Sequence, residues 1–318
     1  MQDFYKKLRE YGQVKLNEPL SKHTSFRIGG PADILVIVED SAKIGELLKF
    51  LDGVGQSYFA LGGGSNILVG DEGIRGVVVK MKNRRIVVSQ QIVEADAGAT
   101  LVEVAQKSIQ AGLTGFEWGV GVPGSVGGAV RGNAGSMGRE MKDGVVWVEA
   151  YKDGEIVRLT NEECQFGYRD SIFKHCDAVV IRAGIGLELS SEKDGMKKVM
   201  NNIKYRGDTQ PKGFFCAGCV FKNYPTSLRY AGQVESSGVR IPDEFIRNGK
   251  IPAGWLIERA GMKGTKIGNA QVSDKHGNFI VNLGGATARE VLDLIAVVKE
   301  KVYNKFGIEL VEEIQIIQ

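Results

Sequence analysis

Gly119-Val120-Gly121-Val122-Pro123-Gly124-Ser125-Val126-Gly127-Gly128-Ala129-Val130, closed by Asn133-Ala134-Gly135, carries no charge before Arg131. A long uncharged glycine run does not suit a solvated linker. It suits backbone that approaches a large ligand closely and turns N–H groups toward it. Residues 119–124 also match G-x-G-x-x-G, the fingerprint of a dinucleotide-binding βαβ unit. That fingerprint needs a strand before it and a helix opening within it. Here Glu117 and Trp118 precede the run, Pro123 lies inside it, and Gly127-Gly128 weaken any helix that follows. The pattern is present without its context.

A second run, Leu61-Gly62-Gly63-Gly64-Ser65-Asn66, follows the apolar Tyr58-Phe59-Ala60. By itself it reads equally as an irregular turn or as an anion nest with Ser65 and Asn66 adding donors. The two runs account for a compositional excess. The 318 residues include 43 glycines, against roughly 22 expected from ordinary usage of about 7%. Six fall within 62–76 and ten within 112–138. No Gly-X-Y period accompanies them and prolines number only 7, which excludes collagen. With 43% hydrophobic and 25% charged residues, the chain is not disordered, and its length predicts two domains.

A net charge of +3 gives no electrostatic case for nucleic acid. No apolar stretch is long enough to span a membrane, and the N-terminal MQDFYKKLREYGQ has no apolar core of a secretory signal. Four cysteines are too few for a disulfide scaffold, so a cytoplasmic location is expected.

Hydrophobic periodicity predicts a short N-terminal helix, strands at 32–38, 76–81, 92–95, 145–151, 156–159 and 178–187, and helices at 41–51, 100–111 and 192–205. The breaker cluster Gly207-Asp208-Thr209-Gln210-Pro211 marks a boundary. Helices at 254–260 and 286–305 and strands at 279–282 and 310–317 follow. Strands and helices mix without regular βαβ alternation, which predicts an α+β fold.

The stretches Thr24–Asp33 (TSFRIGGPAD), Leu61–Val69 (LGGGSNILV) and Gly115–Gly135 (GFEWGVGVPGSVGGAVRGNAG) resemble the UDP-N-acetylenolpyruvoylglucosamine reductase family. The resemblance continues through Tyr168-Arg169-Asp170-Ser171, Cys219-Val220-Phe221-Lys222-Asn223, residues 272–282 and the C-terminal strand, covering nearly the whole chain. It implies an FAD-binding domain of the vanillyl-alcohol oxidase/p-cresol methylhydroxylase type over 1–206. A smaller α+β substrate-binding domain over 207–318 would follow. The compact span from Arg169 to Cys219 matches the subclass lacking an extra substrate-capping segment.

The implied activity is reduction of UDP-N-acetylglucosamine enolpyruvate by NADPH through non-covalent FAD, in bacterial peptidoglycan and cell-wall synthesis. The implied FAD contacts are Ser25, Gly62, Gly63, Gly64, Ser65, Asn66, Ile67, Gly121, Val122, Pro123, Gly124, Ser125, Gly127, Gly128, Ala129, Asn133 and Gly135. Hydride arriving at the enolpyruvyl C3 leaves negative charge at C2 and its carboxylate, so the site needs a cation there and an acid near C2. Arg169 matches the family's carboxylate-binding arginine; by itself it reads as a surface arginine beside Asp170. A guanidinium fork suits a planar carboxylate.

Cys219 stands where many relatives have a proton-donating serine. Thiols ordinarily ionise near pH 8.5, far closer to neutrality than an alcohol. Cys216-x-x-Cys219 also spells a redox or metal motif, but thioredoxin-type chemistry wants a helix start and zinc wants two more ligands at suitable spacing. Cys216 is expected to be a small core residue, and no metal is expected. Glu313 matches the family's terminal catalytic glutamate, and alternation places it opposite Glu312 and Ile314. Asn223, Arg206, Lys275 and His276 are expected substrate contacts; His276 alone reads equally as a satisfied structural histidine.

One departure stands out. Tyr224 interrupts the family's Asn-Pro step, and an apparent insertion runs to about residue 251. Two other readings remain open: an oxidase of the same flavin fold, and a dithiol or metal-dependent redox regulator. No histidine lies between Thr24 and Lys174, which excludes a histidyl flavin tether in these loops.

Overall fold

The computed structural model describes residues 2–318. Its contacts divide the chain into two compact units, and the division is not a single cut. The first unit takes the chain up to Glu18, then Ala32–Gly64 and Ile74–Asp208. The second takes Pro19–Pro31, Ser65–Gly73 and Thr209–Gln318. The domains expected from the sequence, 1–206 and 207–318, are contiguous, whereas these units interleave. The difference has a packing cause: Phe26, Ile28 and Leu68 are buried in the same core as Val220, Leu256 and Val298.

Three parallel strands form the main part of a four-stranded sheet of the first unit, with Gln13–Pro19 at its edge beside Pro31–Val38. Ile74–Met81 lies between Pro31–Val38 and Tyr58–Leu61, with Val79 opposite both Val36 and Ala60. Parallel neighbours need a crossover, and the helix Ser41–Gly53 supplies one. Asp40 Oδ1 accepts the Ala42 N–H at 2.9 Å to start that helix. Ile44, Leu47, Leu48 and Leu51 recur at helical spacing and are buried. A second sheet of five antiparallel strands runs in the order Glu155–Thr160, Val145–Lys152, Val179–Gly186, Ile92–Asp96, Ile86–Ser89. The helix Leu101–Gln110 follows it, opened by a capping box between Thr100 and Glu103.

Within the glycine-rich 112–138, where Gly127-Gly128 weaken helix propensity, a six-residue helix nevertheless forms at Val126–Arg131. Tertiary contact overrides propensity here. Val126 N–H donates to Ala99 O and Gly127 N–H to Ala97 O, both at 2.9 Å. A Cβ on Gly127 would lie 2.9 Å from Ala97 Cβ, so only glycine permits the approach. The element before the run is a 3₁₀ turn, Glu117–Gly119, rather than a strand. The helix Glu192–Thr209 runs past Gly207 and stops just before Pro211, whose ring cannot continue it.

In the second unit, the helix Ala288–Phe306 packs beside the antiparallel strands Lys266–Ile267, Ala270–Val272 and Ile280–Asn282. Thr287 and Glu290 cap its start, and Gly307 ends it at φ +66°. The expected strand at 310–317 is shorter: only Gln315–Ile317 forms a ladder, parallel to Ile67–Val69. The Glu313 and Ile314 N–H groups both donate to Val220 O, at 2.7 and 3.4 Å, which breaks the alternation on which the facing of Glu313 rested. The apparent insertion is a closed excursion. Tyr224–Pro225 pairs with Lys250–Ile251, and the helices Leu228–Ser236 and Asp243–Arg247 lie between.

Candidate active site

Gly62 to Gly64 continue directly from the strand Tyr58–Leu61. The Gly63 N–H donates to the buried Ser125 Oγ at 3.1 Å, joining the two glycine runs across 62 residues of sequence. The approach is backbone to backbone. A Cβ on Gly63 would lie 3.0 Å from Gly124 Cα and 3.2 Å from Ser125 N. We expect Gly63→Val to force the runs apart and weaken FAD retention by at least about tenfold, because overpacking displaces backbone. Flavin absorbance per protein after gel filtration measures this; full retention would remove Gly63 from the cradle.

Several groups fix the cradle. Glu117 accepts from Thr114 Oγ1 and from Gly115 N. Burial opposes its charge, but these bonds and Lys198 outweigh burial and hold its carboxyl below the usual range. The Leu101 N–H donates to Gly124 O at 3.3 Å, and Val122 N–H to Gly119 O at 3.3 Å. The N–H groups of Gly63 and Gly127 are committed within the protein, so these two glycines offer a ligand close approach rather than donation. Ala129 is buried with its N–H on Ser125 O. Gly121 has φ +84°, and a Cβ there would lie 3.0 Å from Arg206 Cδ. This seats the Arg206 side chain on the second run, between Val120 and the Val122-Pro123 step.

Lys80 was not singled out by sequence reasoning. It lies opposite Leu61 in the sheet register, is 8% exposed, and its Nζ donates to Gly62 O. Burial, reinforced by Lys82 and Arg84, pushes its ammonium down to about 8. The available signal was a lysine inside the apolar run Val77-Val78-Val79-Lys80-Met81, since buried lysine is rare.

Arg169 belongs to the same unit. It sits in a tight turn closed by Gly167 N to Asp170 O at 3.0 Å and Asp170 N to Gly167 O at 3.3 Å. Its backbone is left-handed at φ +55°, a conformation that costs a non-glycine residue about 1–3 kcal/mol. Its guanidinium donates to Gly135 O at 3.1 Å and to Asn133 O and Glu140 Oε1 at 3.4 Å. Asn133 is fully buried, and its side chain bonds Gly167 O, Glu140 Oε2 and Lys142 N. The fold therefore brings Asn133, Gly135 and Arg169 together, with Asn133 acting as internal bracing.

The second unit positions Cys219 and Glu313. Cys219 bridges Phe279, Val220 N–H donates to Asn278 O at 2.8 Å, and Phe221 bridges Glu312. With Val220 O accepting from Glu313 N, Cys219 and Glu313 lie on adjacent backbone segments, both half-buried. Asn66 Nδ2 donates to Glu313 O at 3.2 Å, and Asn66 O accepts from Gln315 N at 3.0 Å, fixing the Ser65-Asn66-Ile67 segment beside them. Ser25 Oγ donates to Cys216 O at 2.7 Å. Cys216 is half-buried rather than a core residue, because its neighbour Ala217 takes the inward position. Neither cysteine begins a helix. Among the described residues, no three His, Cys, Asp or Glu side chains cluster as metal ligands.

Of the expected substrate contacts, Asn223, Lys275 and His276 are dispersed within this unit, whereas Arg206 belongs to the first. Asn223 Oδ1 accepts the Ala253 N–H at 3.0 Å, opening the helix Ala253–Arg259. Lys275 is exposed, with its N–H on Ser273 Oγ. His276 Nδ1 accepts from Asn278 N at 3.1 Å and its ring meets Phe279 edge-on. Burial is the main cause of its lowered pKa.

The chain is an FAD-dependent oxidoreductase, with its glycine-rich runs in one unit and the adjacent Cys219 and Glu313 segments in the other. Residues 32–160 match the sequence profile of an FAD binding domain. Residues 210–317 match the C-terminal domain of UDP-N-acetylenolpyruvoylglucosamine reductase. The chain is 40% identical over 317 residues to the UDP-N-acetylenolpyruvoylglucosamine reductase of Caldanaerobacter subterraneus subsp. tengcongensis, covering 99% of this chain and 97% of that one. The Bacillus subtilis reductase is 38% identical over 315 residues, covering 98% and 96%. The crystal structure of the Thermus caldophilus reductase superposes with a TM-score of 0.75 at 32% identity, covering 96% and 98%. The chain belongs to the UDP-N-acetylenolpyruvoylglucosamine reductase family.

Proposed function

We infer that the protein reduces UDP-N-acetylglucosamine enolpyruvate to UDP-N-acetylmuramate with NADPH and bound FAD, a step of bacterial peptidoglycan synthesis. The observation that carries this reading is the succession of an FAD-binding domain and the reductase's own C-terminal domain in one chain. The cradle formed where Gly63 meets Gly124 and Ser125 fits a dinucleotide, since glycine backbone without side chains allows close approach. When bound, the flavin would relay hydride from NADPH to the enolpyruvyl C3.

Arg169 holds the enolpyruvyl carboxylate and stabilises the charge that develops on it. Its guanidinium is already oriented by two carbonyls and a carboxylate, so little reorganisation is needed during reaction. The Cys219 thiol gives its proton to C2, and Glu313 assists that transfer. Arg206, Asn223, Lys275 and His276 contribute to substrate binding. An oxidase reading is not favoured, because oxidases do not require the matched reductase domain. We place the protein in the cytoplasm, a location supported by four cysteines none of which is in a disulfide. No helix of the described residues is long and apolar enough to cross a membrane.

The test is anaerobic. NADPH is expected to bleach the flavin of the purified protein, and the enolpyruvyl substrate to restore its colour. Failure of the substrate to reoxidise the flavin would sink the assignment.

A further inference from the structure

Glu140 has no role in the reaction described so far, yet it meets the Arg169 guanidinium and both residues whose carbonyls accept from it, Asn133 and Gly135. Its Oε1 lies 3.4 Å from Arg169 Nη1. Its Oε2 accepts from Asn133 Nδ2 at 3.1 Å and pairs with Lys142 Nζ at 3.2 Å. The same Asn133 amide reaches Gly167 O at 2.7 Å, the first residue of the Arg169 turn. Glu140 also pairs with Gly135 in a two-residue ladder, and a Cβ on Gly135 would lie 2.7 Å from Glu140 Cγ. Its side chain is only 17% exposed.

We propose that Glu140 is the positioning residue for Arg169, fixing the direction from which its guanidinium meets the enolpyruvyl carboxylate. The ladder and the glycine at 135 fix Glu140, and Glu140 fixes both the guanidinium and, through Asn133, the turn beneath it. All three contacts are charge-assisted by the guanidinium; the Glu140 carboxylate adds a full negative charge that the Asn133 and Gly135 carbonyls lack, at 3.4 Å against 3.4 and 3.1 Å. A flexible arginine side chain loses rotamer freedom once, on folding, instead of at each turnover. The inference rests on the reading that Arg169 binds the substrate carboxylate.

The test uses the FAD-loaded protein and two anaerobic half-reactions followed by flavin absorbance. In Glu140→Gln, reduction by NADPH is expected to stay within about twofold, while reoxidation by the enolpyruvyl substrate slows roughly 10–100-fold, the scale of a small misplacement. Glu140→Asp keeps the charge with a shorter reach and is expected to recover part of the rate, to within ~10-fold of the parent. A merely structural role would slow both half-reactions alike. The proposal is overturned by unchanged reoxidation in Glu140→Gln or by equal losses in both half-reactions. Should Glu140→Gln fail to retain FAD, Glu140→Asp is judged by the same split. Arg169→Ala separates the two readings. If it reoxidises normally, the role of Arg169 falls; if it is slow while Glu140→Gln is normal, only the positioning role falls.

Discussion

Cys219→Ala is expected to slow reoxidation of the reduced flavin by substrate roughly 10²–10⁴-fold, the usual worth of a positioned general acid. Reduction by NADPH is expected to remain nearly intact, because the thiol enters only when C2 takes its proton. The substitution removes one half-buried sulfur and leaves the backbone bridge to Phe279 in place, so stability should change by no more than about 1 kcal/mol. Cys219→Ser, which installs the side chain of many relatives, is expected to stay within about tenfold of the parent rate. Rapid-mixing absorbance on the two half-reactions distinguishes these outcomes. An alanine variant that reoxidises at the parent rate would make Cys219 a packing residue.

Arg169→Ala should cost about 10²–10³ in the same half-reaction, the range found when one donor to a developing anion is removed. Here the variant also loses stability. It leaves the Asn133 and Gly135 carbonyls without their guanidinium partner and keeps a non-glycine residue at φ +55°. Arg169→Lys separates these effects. It retains the charge and part of the bonding but not the fork, so about a tenfold loss is expected. Substrate saturation adds a second signature: KM for the enolpyruvyl nucleotide should rise in both variants, while the rate of reduction by NADPH stays level. Loss of both half-reactions in a folded Arg169→Lys would instead assign Arg169 to cofactor binding.

Local patterning made much of the molecule legible. The helix at 41–53 and the buried strands at 31–38 and 74–81 follow from periodicity, and both glycine runs announced themselves by composition. Contacts distant in sequence did not. The Ser125–Gly63 bond unites two runs that read as separate features. Nothing local marks Glu140 as a partner of Arg169, because the pair forms only once the 135–140 ladder and the 167–170 turn are both built. Two glycines lower the helix propensity of 126–131, whereas the close approach to Ala97 requires one of them. Alternation misdescribed 310–317 for a related reason: one carbonyl, Val220 O, takes two successive amides.

The threading of the chain bears on its biogenesis. Phe26, Ile28 and Leu68 leave the ribosome early but enter a core whose other members lie beyond residue 208. The strand Ile67–Val69 waits for Gln315–Ile317, about 250 residues later, which is roughly 10–50 s at usual elongation rates. During that interval these apolar side chains have no native shelter on the nascent chain. The first unit can collapse during translation, whereas the second forms only when synthesis is nearly over. Aggregation and chaperone demand are therefore expected to concentrate in the last moments of translation and just after release.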